Sequence, residues 1–278
     1  MLNFDRVGEM TVAALLASIG SGFVVAYQYE VAAPFVTSVA IEAIIPFGAF
    51  WRALHFWTSQ AFFLLLIYHA WQSIDDLPKI SMRPSGRRQW TVLSLTLPMS
   101  ILALFTGYVL RYDGTGQAAG TIAEHLLLEI PLIGSGLNRF LMASTDEGLS
   151  RIYLLHLFLT ALLWGLGTWY HTRRVILSRK IFLSILAGSI TVAILFHAPI
   201  DLPGKNIDLI QGPWFFLGIQ ELLRHFPPLG AGILYPLIPV VAFLSLPWAS
   251  NRKIPLSFLI GWLVTYFGLS LAGWLRSA

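Results

Sequence analysis

The sequence predicts an all-α integral membrane protein with seven transmembrane helices. Three observations carry that prediction. Of 278 residues, 56% are hydrophobic and only 12% charged, a balance too apolar for a water-soluble domain. Charge-poor apolar windows recur seven times, each near the twenty or so residues that a hydrocarbon core of roughly 30 Å requires. Basic residues gather in alternate connections, as they do when one side of a membrane protein stays in the cytoplasm.

The windows lie near 10–31, 46–72, 90–110, 150–172, 181–199, 228–248 and 255–275. Arg6 precedes the first. Lys79, Arg83, Arg87 and Arg88 lie between the second and third, and Arg173, Arg174, Arg179 and Lys180 follow the fourth. Arg252 and Lys253 separate the sixth from the seventh. All four sites fall on one side of a seven-span chain, which predicts that side, and the N-terminus, to be cytoplasmic. The opposite side holds Arg111, Arg139 and Lys205 in loops, with Arg224 and Arg276 near helix ends. The opening MLNFDRVGEM runs straight into the first span, so no cleavable signal is expected. The net charge of +4 resides in these loops. No basic stripe interleaved with aromatics points to nucleic acid. Cysteine is absent, which excludes disulfides, thiolate-ligated iron–sulfur clusters, a Cys nucleophile and thioether-attached haem on this chain.

The second window, GAFWRALHFWTSQAFFLLLIYHAW, carries His55 and His69, 14 residues apart. The fourth, RIYLLHLFLTALLWGLGTWYH, carries His156 and His171, 15 apart. Histidine is costly in a bilayer and needs a partner there. Fourteen residues rise about 21 Å and return to nearly the same helix face. Each helix therefore holds two imidazoles on one side, one near each membrane surface. Both helices run inward, which pairs His55 with His156 and His69 with His171. Two haems, each with two axial histidines, fit this device. Polar contacts that only join helices are the plainer alternative.

Other features surround these helices. Gly8 and Gly22 in the first window are also 14 apart. They would let a flat macrocycle approach, or serve ordinary small-residue packing. Arg52, one turn outward of His55, and Arg151, five residues before His156, would pair with haem propionates or snorkel to headgroups. Two outer loops are long. EHLLLEIPLIGSGLNRFLMAS, within 111–149, is amphipathic and should lie at the interface. Residues 200–227 are rich in Pro, Gly and aromatics. Such loops either carry function or cover helix ends.

At these residues the sequence resembles cytochrome b, the membrane core of cytochrome bc and b-f complexes. GAFWRALHFW resembles the family's Gly-x-x-x-Arg-x-x-His segment, which adds Gly48 and Arg52 to the haem-site candidates. SRIYLLHLF resembles its fourth-helix Leu-His segment. LFTGYVLRYDGTGQ is similar to the end of its third helix, marked by Gly107. GPWFFLGIQELLRHFPP resembles its quinol-site loop. The basic segment around 173–180 divides four helices from three. The resemblance makes these a di-haem four-helix cytochrome, residues 1–178, fused to a three-helix part with the quinol-site loop, residues 179–278.

The resemblance implies two non-covalent b haems: a low-potential one on His55 and His156, and a high-potential one on His69 and His171. It implies an outer quinol site walled by the third-helix end near Gly107, Ile133–Gly134 and Pro213–Phe216. It implies an inner quinone site, where Arg6, Arg173 and Arg174 would attract a charged quinone species or a propionate. The family loop reads Pro-Glu-Trp-Tyr, whereas this loop reads Gly212-Pro213-Trp214-Phe215 and lacks the carboxylate. Glu221, His225, His125 or a partner must then take the quinol proton, with Glu221 the nearest carboxylate on the loop. Leu93 stands where a second third-helix glycine is expected. The expected function is a respiratory quinol:cytochrome c-type electron-transfer subunit in a bacterial or archaeal inner membrane. Its partners would be a Rieske protein or a cytochrome c, possibly multihaem, within a homodimeric complex. The alternative is a Rieske-independent oxidoreductase without bifurcation.

Overall fold

The computed structural model describes residues 6–142, 148–171, 177–201 and 210–277. Among them the secondary structure is helical throughout, with no strand. Helices stand at all seven apolar windows. Four are long and apolar enough to cross a membrane as they stand: Val7–Gln28, Pro84–Leu110, Gly148–Tyr170 and Lys253–Arg276. A bent pair makes a fifth, and Leu229–Ser245 is shorter. The chain is a multi-pass membrane protein.

The first span is α1, Val7–Gln28. Glu9 in its first turn suits the positive end of the helix dipole. It pairs with Arg6 and accepts the Ser178 N–H at 3.0 Å. Next comes α2, Pro34–Ala43, which lies between the first two apolar windows. It meets α3, Gly48–Gln72, at a 106° bend. Two backbone features make the bend. Phe47 takes a left-handed φ of 61°. Gly48 packs so closely on α2 that an added Cβ would lie 2.1 Å from the Ile41 carbonyl oxygen. Gly48→Ala is therefore expected to cost about 1–3 kcal/mol through overpacking, seen as an earlier thermal melt in detergent.

The short α4, Leu77–Ser81, leads to α5, Pro84–Ser94, and α6, Thr96–Leu110, which together form one 27-residue span. The amphipathic stretch after α6 folds as α7, Gly114–Leu128, and α8, Gly134–Leu141. The fourth span is α9, Gly148–Leu162, which continues as a π-helix over Leu163–Tyr170. It is followed by α10, Arg179–Leu195, and α11, Leu217–Leu222. A second π-helix, Leu229–Leu234, opens α12, Tyr235–Ser245, and the last span is α13, Lys253–Ser277.

Two compact units share these elements. The first comprises Met1–Asp75, Leu95–Asp113 and His156–Pro203. Here α1, α3 and α10 pack on one another, with α6 against α3 and the first π-helix. Ala14, Leu15, Phe62 and Leu163 form a buried cluster, bordered by Met99, Ala103 and Ile185. The second unit comprises Asp76–Ser94, Gly114–Leu155 and Gly204–Ala278. In it α13 packs against α11 and α12, and α12 against α5. Trp90 lies 4.7 Å from Phe243, centroid to centroid, and its indole N–H donates to the Phe243 carbonyl at 3.0 Å.

Candidate functional site

The first unit gathers four histidines into two pairs. The ring centroids of His55 and His156 are 6.3 Å apart, and those of His69 and His171 are 6.2 Å apart. An imidazole nitrogen bonds a metal at about 2.0 Å and lies roughly 1.2 Å from its ring centre, so two rings in line on one metal sit about 6.4 Å apart. Both separations match that arrangement. Among the described residues, no group of three or more His, Asp or Glu side chains converges as a metal site. Two ligands per site suit a metal whose remaining four positions are filled by its own macrocycle.

The surroundings fix how the rings stand. His55 Nδ1 lies 2.9 Å from the Ser18 carbonyl oxygen. A carbonyl only accepts, so Nδ1 carries the proton and Nε2 keeps its lone pair for a metal. His156 repeats the arrangement, with Nδ1 3.0 Å from the Ala103 carbonyl and 3.0 Å from the Thr106 hydroxyl. Three glycines press on three rings. A Cβ at Gly22 would lie 2.9 Å from His55 Cε1, one at Gly8 3.1 Å from His69 Cε1, and one at Gly107 3.1 Å from His156 Cε1. The device is a repeated module: Ser18 and Gly22 serve His55 from α1, and Ala103 and Gly107 serve His156 from α6. In each, the carbonyl precedes the glycine by one helical turn.

Helical geometry keeps each pair of histidines on one face. Fourteen α-helical steps in α3 undershoot four turns by about 40°, whereas fifteen overshoot by about 60°. The π-helix between His156 and His171 takes one more residue per turn and absorbs the additional residue. Phe62 and Leu163 lie about midway between the histidines of their own helices. The apolar cluster around them separates the two levels.

The arginine candidates have different settings. Arg52 is buried and donates from Nε to Glu42 at 2.7 Å, from Nη1 to the Pro199 carbonyl at 3.1 Å and from Nη2 to the Ala198 carbonyl at 2.5 Å. It thus straps the chain after α10 to the N-terminal part of α3. Glu42 also accepts from His197 Nδ1 at 3.0 Å. Arg151, one turn and a half before His156 on α9, has a buried Nε with no hydrogen-bond partner among the described residues. Arg173 and Arg174 lie outside the described residues.

The second unit holds the loop candidates. Pro213 precedes a 3₁₀ turn, Trp214–Phe216, and Trp214 is about half exposed. The Phe215 carbonyl accepts from the Tyr266 hydroxyl at 2.5 Å. Glu221 on α11 is buried and bound to Arg276 Nη2 at 2.6 Å, with His225 Nε2 at 3.3 Å. The Arg276 hydrogen bond holds the Glu221 carboxyl below the usual range against the opposing effect of burial, with help from His225 and Arg224. A depressed carboxyl stabilises the fold above its unfolded pKa of about 4.3 and loses that contribution as pH falls through the lower folded value. Arg276→Gln should therefore flatten the acid limb of the melting-temperature profile below about pH 5; an unchanged limb would remove the pair from the account. Ile133 is exposed, and a Cβ at Gly134 would lie 2.3 Å from the Leu127 carbonyl, so this glycine closes the turn from α7 to α8.

Sequence reading does not reach Ser18, Ala103, Glu42 or the π-helix. Backbone acceptors leave no side-chain signal. The π-helix had one trace, the spacing of 15 against 14.

Comparison with known proteins bears on the same helices. The family model described as cytochrome b/b6/petB matches residues 2–173. Cytochrome b6 of Heliobacterium mobile is 27% identical over 164 residues, covering 57% of this chain and 76% of that protein. Cytochrome b6 of Heliomicrobium gestii is 26% identical over 161 residues, covering 56% and 74%. A solved hyperthermophilic respiratory complex III shares the fold, with a TM-score of 0.68 at 18% identity over 98% of this chain and 84% of that one. The family match contains all four paired histidines and the three glycines that touch them, and on it the chain belongs to the cytochrome b/b6/petB family, a haem b-binding membrane cytochrome of electron transport.

Proposed function

We propose that this chain is the di-haem subunit of a quinol-oxidising respiratory complex in a bacterial or archaeal cytoplasmic membrane, with its N-terminus inside. The observation that carries the reading is the pair of histidine–histidine separations, 6.3 and 6.2 Å, each matched to one metal between two imidazoles. Haem would supply a one-electron iron couple. The chain supplies the rest. His55 and His156 would hold the outer group, and His69 and His171 the inner one. The Ser18 and Ala103 carbonyls keep the outer ligands in the tautomer that offers Nε2. Gly8, Gly22 and Gly107 give the rings room beside the neighbouring backbone. Arg151 would meet a propionate with its unpartnered Nε. The cluster of Ala14, Leu15, Phe62 and Leu163 keeps water from the space between the levels.

The family match ends at residue 173, which supports a four-helix cytochrome module over 1–178 and a three-helix module over 179–278. The latter would provide an outer quinol site from Pro213, Trp214, Phe215 and Glu221. The relatives named cytochrome b6 and the fold shared with a respiratory complex III support membership of a larger redox complex, in which the partner would be a Rieske protein or a cytochrome c and the assembly a homodimer. A second reading is a Rieske-independent oxidoreductase without bifurcation, donating to a multihaem cytochrome. Two observations favour keeping it: Pro213 occupies the place of the family's loop carboxylate, and Arg276 holds Glu221 ionised and bound.

A haem assay with a dithionite-reduced minus oxidised spectrum tests the core of the proposal. Two non-covalent b haems per chain are expected. A folded chain with none returns the histidines to helix packing. Quinol added with an outer-site inhibitor then separates the two readings, because only a bifurcating complex needs both outlets of that site.

A further inference from the structure

One side-chain cluster in the second unit has no part in the histidine or quinol chemistry. It is a cleft of about 410 Å³ lined by Ser81, Met82, Pro84, Arg87, Arg88 and Trp248. From these residues we infer that the cleft is a binding site for an anionic phospholipid headgroup.

The walls are built rather than incidental. A Cβ at Gly86 would lie 2.5 Å from the Ile80 carbonyl, so the start of α5 is pressed onto the end of α4. Arg87 Nε donates to the Ser81 carbonyl at 2.9 Å, and Arg252 Nη2 donates to the Ser81 hydroxyl at 2.7 Å. The Trp90–Phe243 contact fixes α5 against α12, just before Trp248. Three guanidinium groups are thereby brought to one short stretch of chain. None of Arg87, Arg88 and Arg252 has a carboxylate partner among the described residues. Arg87 engages only through Nε, and its terminal nitrogens carry no other hydrogen bond among those residues. Arg88 carries none at all among them.

The chemistry of the occupant follows. Guanidinium groups match phosphate oxygens in pairs and keep their charge at any physiological pH. Met82, 84% exposed, and Trp248, 50% exposed, offer apolar contact beside the charges. A free phosphate has no use for that contact, but a phosphodiester with acyl chains does. The cleft also lies at helix ends that the basic loops assign to the cytoplasmic side, where tryptophan and arginine meet anionic headgroups.

The test uses the intact protein purified in detergent and returned to nanodiscs containing phosphatidylglycerol or phosphatidylcholine, with bound lipid read by native mass spectrometry. Phosphatidylglycerol should be retained in preference to phosphatidylcholine. Arg88→Gln should weaken that retention about five-fold, and Arg88→Lys, which keeps the charge but not the paired geometry, should restore part of it. Because the Arg88 side chain bonds nothing among the described residues, its loss should leave the melting temperature and the haem spectrum unchanged. The pair Arg179→Gln and Lys180→Gln, on the same membrane side outside the cleft, should leave retention intact. Equal loss in that control would mean general surface attraction and overturn the site. So would unchanged retention in Arg88→Gln, or equal binding of the two lipids. Displacement of the lipid by millimolar inorganic phosphate would mark an anion site without lipid preference and overturn the assignment as well.

Discussion

Replacing His55 or His156 with alanine is expected to leave one b haem per chain where the parent is expected to hold two. The two histidines face each other, with ring centroids 6.3 Å apart, and on the proposed ligation loss of either would remove one of two protein ligands. The second pair stands about 21 Å away along α3, by fourteen residues of helical rise, and the buried cluster around Phe62 lies between. Its haem should survive with an unshifted reduced spectrum. The measurement is a haem-to-protein ratio with a difference spectrum for each variant, and the same change at His69 or His171 should remove the complementary signal. Retention of both haems in His55→Ala would end the pairing. A single alanine variant that lost both would mean that the two sites do not fill independently.

A glycine pair on α1 gives the second large contrast. Gly22 and Gly20 lie two residues apart on one helix. A Cβ at Gly22 would lie 2.9 Å from His55 Cε1 and 3.0 Å from Nδ1, whereas nothing stands within 4 Å of one at Gly20. Gly22→Ala must push the imidazole off its position or break its 2.9 Å bond to the Ser18 carbonyl. We expect about 1–3 kcal/mol of destabilisation from the crowding and reduced filling of the outer site. Gly20→Ala should be neutral or stabilise by up to about 1 kcal/mol, since alanine loses less backbone freedom in a helix than glycine. Thermal melts and the haem ratio, run side by side, read both. Equal effects at the two positions would show that the ring does not depend on the close approach at Gly22.

The positions of the helices were legible before any coordinates. Apolar windows of about twenty residues have few meanings, because a bilayer tolerates little but a hydrogen-bonded helix. The spacing of His55 and His69 was legible for the same reason: fourteen residues is a near-whole number of turns. Glycines 8 and 22 announced themselves by repeating that interval. The setting of Arg52 was not legible. Its partners are Glu42, ten residues back, and two carbonyls nearly 150 residues ahead, and no local pattern links them. Gly48 is similar. The family motif marks it, but the Ile41 carbonyl gives it a local reason of its own.

The sequence by itself determined that the chain is helical and membrane-embedded, and which four histidines occupy helix faces at two depths. Periodicity and hydropathy are properties of neighbouring residues, so one dimension is enough to read them. Only the tertiary structure decided how those histidines are held. The tautomer of His55 depends on a carbonyl of α1, and that of His156 on a carbonyl of α6. The register of His171 depends on a π-helical stretch, and the charge of Glu221 on Arg276, 55 residues away. These are hydrogen bonds to backbone or to distant side chains. They exist only once helices pack, because burial is what makes an unpaired polar group costly enough to fix its partner.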